Sequence, residues 1–142
     1  MQKEALFKIT TNNYGKCMIA AKDMLKDTVV AKWEGYIVES YKEVPKNLKL
    51  YAILIDEKRF LVPTNDAMFA NHSCNPNCEV NDELEIVTIK PVKKGEELVY
   101  DYAICDDDEQ DLMEWNHEWD FKCKCGASNC RGNIDRYYYP DK

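Results

Sequence analysis

Apolar residues along this chain come in short runs, not at helical spacing. ALFKI (5–9), CMIAA (17–21), TVVAKW (28–33), YIVES (36–40), LYAILID (50–56), RFLV (59–62), LEIVTIK (84–90) and ELVYDY (97–102) are rich in Val, Ile, Leu or Tyr, and Gly, Pro, Asn or Asp interrupts them. Runs of this length pack as strands, so the pattern predicts a mostly β fold of several small sheets. In LEIVTIK, Leu84, Ile86 and Thr88 share one face and Glu85, Val87 and Ile89 the other. Both faces are partly apolar, which predicts a strand covered on both sides. Helical signals are weaker: a short turn over Asp66 to Ala70, and a helix over Asp111 to Trp119 whose acidic start suits the positive end of the helix dipole.

Composition narrows the classes. With 142 residues the chain is long enough for one compact domain, and its 45% apolar content, with three Trp and nine Tyr, excludes disorder as the overall state. A formal net charge of -7 argues against coating the phosphates of a nucleic acid and suits a basic partner. No apolar run approaches the length of a membrane span, and MQKEALFKIT lacks the apolar core of a signal peptide, so an intracellular, soluble protein away from membranes is expected. The run CDDDEQD is the one composition shift and reads as a solvated connector.

Seven cysteines cannot all pair within one chain, and in a reducing compartment close spacing points to metal. Cys123, Cys125 and Cys130 form C-x-C-x4-C within FKCKCGASNCRG, with Gly126 easing the backbone, and three thiolates so placed can wrap three corners of a tetrahedral zinc site. Cys74 and Cys78 are the leading donors for the fourth corner. His117, flanked by Trp115 and Trp119, ranks below them, and spacing alone does not choose between the two cysteines. The stretch NHSCNPNC (71–78) that carries Cys74 and Cys78 makes a poor nucleophile site, because His72 and Cys74 have no orienting third group in view. Its asparagines and Ser73 favour turns and can line a polar pocket.

NHSCNPNC, then GEELVYDYA (95–103), then CKCGASNCRG (123–132), in this order and spacing, closely resemble the SET-domain protein lysine methyltransferases with a cysteine-rich post-SET segment. The resemblance runs from NYGKCMIAA, around Tyr14, to NIDR at Arg136. It implies a SET fold of several short sheets around a pseudoknot, in which the Asn-His and Tyr-Asp-Tyr segments pass through one another, followed by a small C-terminal zinc-binding post-SET segment. The implied division is 1–105 for the SET core, 106–120 for the acidic connector and short helix, 121–136 for the post-SET zinc segment and 137–142 for a tail.

The same resemblance implies transfer of a methyl group from S-adenosylmethionine to the side-chain amine of a protein lysine. Asn71 and His72 match the pair that holds the cofactor, with Lys16 and Cys17 in the cofactor loop. Tyr102 matches the tyrosine beside the transferring methyl, and Tyr51 matches the second channel tyrosine. Tyr100 stands where the family has Phe or Tyr, which implies mono- or dimethylation. Cys74, Cys123, Cys125 and Cys130 match the zinc ligands, leaving Cys78 as a buried thiol. The implied partner is a basic, lysine-containing protein or peptide such as a histone, with no direct nucleic-acid contact. A homodimer completing the groove is compatible with the chain's size. The implied location is the nucleus for a eukaryotic, histone-directed protein and the cytoplasm otherwise. Gly15-Lys16-Cys17 replaces the family's Gly-x-Gly, and Met68-Phe69-Ala70 replaces its Arg-Phe-Ile. The first departure motivates the alternative expectation, a zinc-tied peptide-binding module without catalysis.

Overall fold

The computed structural model describes residues 5–12, 15–49, 51–55, 58–102, 117 and 120–136. Nearly every apolar run becomes a strand. β1 (Phe7–Asn12) and β2 (Gly15–Ala20) pair antiparallel from Phe7–Ala20 to Asn12–Gly15. Gly15 has φ +114°, a conformation that side chains resist.

β3 (Val29–Lys32) belongs to a three-stranded sheet with β8 (Cys78–Val80) and β9 (Glu85–Thr88), in which β9 is central. The expected cover on both sides holds fully for one face only: Ile86 and Thr88 are completely buried, while Glu85 and Val87 on the other face are half-buried. The buried Thr88 hydroxyl is satisfied, donating to the Leu25 carbonyl at 2.7 Å and accepting the Thr28 N–H at 2.8 Å. Leu84 is not part of the strand. It sits at φ +62°, closing a turn in which the Asn81 side-chain oxygen accepts the N–H groups of Glu83 (2.9 Å) and Glu85 (3.0 Å).

A second three-stranded sheet has the order β4 (Gly35–Val38), β6 (Phe60–Pro63), β5 (Ile53–Leu54). A Cβ at Gly35 would overlap the Val62 carbonyl oxygen, so only glycine admits this approach of β4 to β6. The expected turn at Asp66 to Ala70 is a 3-10 turn over Asp66–Phe69. The expected helix over Asp111 to Trp119 lies outside the described residues apart from His117, and so do most of the connector and all of the tail.

Two short pairings complete the fold. β7 (Asn71–His72) lies parallel to β10 (Val99–Tyr100), matching Asn71 with Val99 and Tyr100 with His72. The Asn-His and Tyr-Asp-Tyr segments are thereby held side by side. β11 (Phe121–Lys122) and β12 (Asn133–Ile134) form a C-terminal hairpin. The main core gathers Met18, Trp33, Leu61, Ile86, Val92 and Leu98, among others, beneath these sheets, while Cys74, Cys123 and Ile134 form a separate small core.

Asn77 splices the turn after β7 onto β10. Its amide N–H donates to the Glu97 carbonyl (2.8 Å) and its oxygen accepts the Val99 N–H (3.0 Å), with the residue 6% exposed. Asn77→Ala strands both backbone groups and is expected to destabilise the protein by about 1–3 kcal/mol, read as a lower urea midpoint at unchanged slope.

Candidate active site and metal centre

The parallel pairing of β7 with β10 fixes the site, because it brings residues from distant parts of the chain to one seam. At its near end the Asn71 amide donates to the Lys16 carbonyl (3.2 Å) and to the Glu97 carboxylate (3.1 Å). Both partners are acceptors, so the amide orientation is determined, and the Asn71 oxygen faces away without a donor among the described residues. Lys16 places its ammonium 4.8 Å from the Phe69 ring centre. Cys17 is packed inward at 2% exposure, and burial, with the Glu97 charge nearby, pushes its thiol up. Lys16, Asn71 and Glu97 therefore make one polar cradle, with a free amide oxygen suited to an ammonium group such as that of an amino-acid cofactor. Sequence reading misses Glu97, which within GEEL looks like an ordinary loop residue, and takes Asn77 only as one of the turn-forming, pocket-lining asparagines of NHSCNPNC.

His72 is enclosed, its side chain 3% exposed. The Tyr102 backbone N–H donates to its Nδ1 at 3.0 Å. Nδ1 must therefore carry a lone pair, which puts the proton of the neutral ring on Nε2, 3.5 Å from the Cys74 sulfur. Burial agrees, pushing the ring's pKa down to about 4 against the attraction of Asp101. The 3.6 Å approach of Nδ1 to the Asp101 carboxylate is then a contact of a neutral ring and not an ion pair.

Three tyrosines meet here. The Tyr102 hydroxyl donates to the Ala70 carbonyl at 2.6 Å, and its ring lies 4.7 Å, centre to centre, from that of Tyr100. Burial foremost, then the proximity of Tyr100, Tyr51 and Glu97, raises the Tyr102 pKa well above its ordinary value, and burial raises that of Tyr100. Tyr51 is 36% exposed and meets Phe69 edge to face at 6.1 Å. Tyr100 and Tyr102 are therefore neutral hydroxyls, able to orient an amine and unable to act as tyrosinate bases near neutral pH.

A phenol with a raised pKa stabilises the fold fully below its unfolded value, about 10, and that contribution is lost as pH rises through the folded value. Tyr100 and Tyr102 are therefore expected to stay un-ionised above the pH at which an exposed tyrosine titrates and to ionise only with alkaline unfolding. The check is absorbance near 295 nm: the late step shrinks in Tyr100→Phe.

Beside the tyrosines lies the cysteine cluster. The sulfurs of Cys74, Cys123, Cys125 and Cys130 all lie within 4.8 Å of one another, and those of Cys74 and Cys123 are 3.7 Å apart. Zinc–sulfur bonds of about 2.3 Å place tetrahedral corners about 3.8 Å apart, so the donor set fits a four-thiolate zinc site. Cys74 and not Cys78 completes it. Cys78 lies in the main core, where burial pushes its thiol up to about 12. His117 is exposed and bonds Asp120 at 3.2 Å.

Donors around the cluster suit thiolates. The Arg131 N–H points at the Cys74 sulfur (3.4 Å), and the Asn129 amide holds the Cys74 carbonyl (2.9 Å). Burial opposes ionisation of Cys125, but the N–H groups of Cys74 and Ala127 and the thiols of Cys123 and Cys130 outweigh it and bring Cys125 down to about 6. The segment also reaches the tyrosines. Phe121 packs on His72 (5.2 Å) and Tyr102 (6.0 Å), and Arg131 grips Asp101 with both guanidinium nitrogens (3.0 and 2.9 Å).

Comparisons with known proteins agree with this architecture. The histone-lysine N-methyltransferase trr of Drosophila melanogaster is 33% identical over 134 residues, covering 82% of this chain and 5% of trr. Human histone-lysine N-methyltransferase SETD2 is 32% identical over 145 residues, covering 89% of this chain and 5% of that protein. The chain thus spans a small fraction of the length of these relatives. A crystal structure of a Plasmodium falciparum candidate histone methyltransferase superposes with a TM-score of 0.57 at 16% identity, covering 70% of this chain and 95% of that one, and shares the fold. Residues 15–103, more than half of the chain, match the SET domain model, and the chain belongs to the SET-domain family.

Proposed function

We propose that this chain transfers a methyl group from S-adenosylmethionine to the side-chain amine of a protein lysine. The observation that carries the reading is the convergence of Tyr51, Tyr100 and Tyr102, the last two as buried neutral hydroxyls, on the seam that also holds Asn71 and His72. When bound, S-adenosylmethionine supplies an electrophilic methyl group on a positively charged sulfonium.

The chain's own residues do the rest. The oxygen of Asn71 and the carbonyls beside it receive the cofactor's amino-acid end, with Lys16 and Cys17 shaping the loop. Tyr102 commits its proton to Ala70, so its remaining lone pair is presented to the incoming amine. A lysine ammonium, with a solution pKa of about 10.4, must lose its proton, and a cationic, water-poor site lowers that value. The tyrosine oxygens then align the lone pair without a strong base. A Tyr at position 100, where the family has Phe or Tyr, supports mono- or dimethylation.

Cys17, packed inward, leaves the Lys16 carbonyl in contact with Asn71, so the departure at the family's second glycine keeps the cradle together and favours the enzyme over the peptide-binding alternative. Histone methyltransferases among the relatives, and a net charge of -7, support a basic histone-like tail as substrate and the nucleus as its place. We read residues 1–105 as the SET core and 121–136 as the post-SET segment, with zinc as its metal. The test is transfer of labelled methyl groups to mixed histones and to a lysine-rich lysate, with products read by mass spectrometry. Mono- and dimethyllysine are the expected products. No incorporation, with no saturable heat of S-adenosylmethionine binding, overturns the reading.

A further inference from the structure

We propose that Arg131 and Asp101 form a positioning relay that carries closure of the cysteine loop to Tyr102, so that this phenol is set only when the C-terminal segment is seated on the core. The kinetic part of the inference rests on the methyl-transfer reading; the structural part does not.

Arg131 directly follows Cys130, and Asp101 directly precedes Tyr102. The guanidinium meets both carboxylate oxygens, at 3.0 and 2.9 Å, which fixes the carboxylate in plane as well as in place. The Asp101 carboxylate is only 2% exposed, a burial that an unpaired charge tolerates badly. Withdrawing Arg131 removes the fork that holds this carboxylate in plane, and the Tyr102 backbone that directly follows it loses that restraint.

The other side of the same peptide unit is held from the same cluster. The Tyr102 N–H is bonded to His72 Nδ1 (3.0 Å), and His72 Nε2–H faces the sulfur of Cys74 (3.5 Å), which also receives the Arg131 N–H (3.4 Å). Tyr102 is thus gripped through its preceding side chain by the cysteine loop, and through its amide by His72 of β7, whose other ring nitrogen rests on the Cys74 sulfur that the loop closes over. Its hydroxyl is then aimed at Ala70 (2.6 Å). A backbone displacement of about 1 Å at this residue swings the hydroxyl off that line, and misplacement on this scale costs about a hundredfold in rate.

The experiment compares Arg131→Met, Arg131→Lys and Asp101→Asn with the parent chain, each purified with zinc and assayed for metal per chain. Hydrogen exchange of the Tyr102 amide and the ring nitrogen shifts of His72 are read by NMR; kcat and KM are read with a histone peptide. The expected result in Arg131→Met and Asp101→Asn is one zinc per chain, loss of Tyr102 amide protection by about tenfold, and kcat down about 10- to 100-fold with KM within about twofold. Arg131→Lys, keeping the charge but not the fork, is expected to fall between. Zinc-loaded variants with Tyr102 exchange and kcat unchanged overturn the relay. So does loss of zinc in both Arg131→Met and Asp101→Asn, which would make the pair a structural pin of the loop. A parent chain without methyl transfer overturns the proposed function instead, and the amide and ring signals still decide the relay.

Discussion

Tyr102→Phe is expected to lower kcat by about a hundredfold or more while S-adenosylmethionine still binds and zinc stays at one per chain. The substitution keeps the ring that packs against Tyr100, His72 and Phe121 and removes only the hydroxyl. That oxygen is the one whose proton is committed to Ala70, and on the proposed reading its lone pair is what meets the amine. Losing it removes alignment in the transition state more than binding in the ground state, so the loss should fall on kcat and not on KM. A structural cost accompanies it: the Ala70 carbonyl loses its donor within a buried residue, about 1–3 kcal/mol. Activity must therefore be measured well below the melting temperature, with calorimetry of cofactor binding as the check on folding. Parent-like kcat in a folded, cofactor-binding Tyr102→Phe would remove Tyr102 from its assigned role and leave the other two tyrosines to be tested.

How much of this was legible in the chain follows from how each feature is encoded. The apolar runs announce the longer strands because their Val, Ile and Leu content is local, although in LEIVTIK the two partly apolar faces suggest cover on both sides where only the face of Ile86 and Thr88 is fully buried. β7 is not announced, since its strand is Asn71–His72, two polar residues whose ladder partner is the distant pair Val99–Tyr100. Leu84 fits the alternation yet closes a left-handed turn that Asn81 builds, a case of turn chemistry outweighing period. Three cysteines declare a metal site by spacing. The fourth is undecided by spacing because Cys74 and Cys78 flank one Asn-Pro turn; the family resemblance picks Cys74, and the sulfur positions agree. The Arg131–Asp101 fork was invisible, because an ion pair between residues 30 positions apart has no sequence period to betray it.

Removing zinc is expected to abolish methyl transfer without unfolding the protein. The main core, built on residues such as Met18, Ile86 and Leu98, contains none of the four ligands, whereas the small core around Cys74, Cys123 and Ile134 consists largely of them. Structural zinc sites of this type contribute about 10–16 kcal/mol in isolated peptides, far more than a two-stranded hairpin such as β11–β12 can supply alone. Chelation should therefore release the segment Phe121–Ile134 and, with it, Phe121 from His72 and Arg131 from Asp101, while the sheets beneath persist. Hydrogen exchange should show protection lost in that segment and at Tyr102, but kept at Ile86 and Leu98. Activity should return when zinc is restored. Cys123→Ser should reproduce the chelated state, and Cys78→Ser should keep its zinc, at the cost of a hydroxyl placed in the main core. The decisive outcome is the behaviour of Tyr102: a metal-free chain that still transfers methyl groups at the parent rate would mean that the cysteine segment is an appendage, and that the tyrosines are set by the core alone.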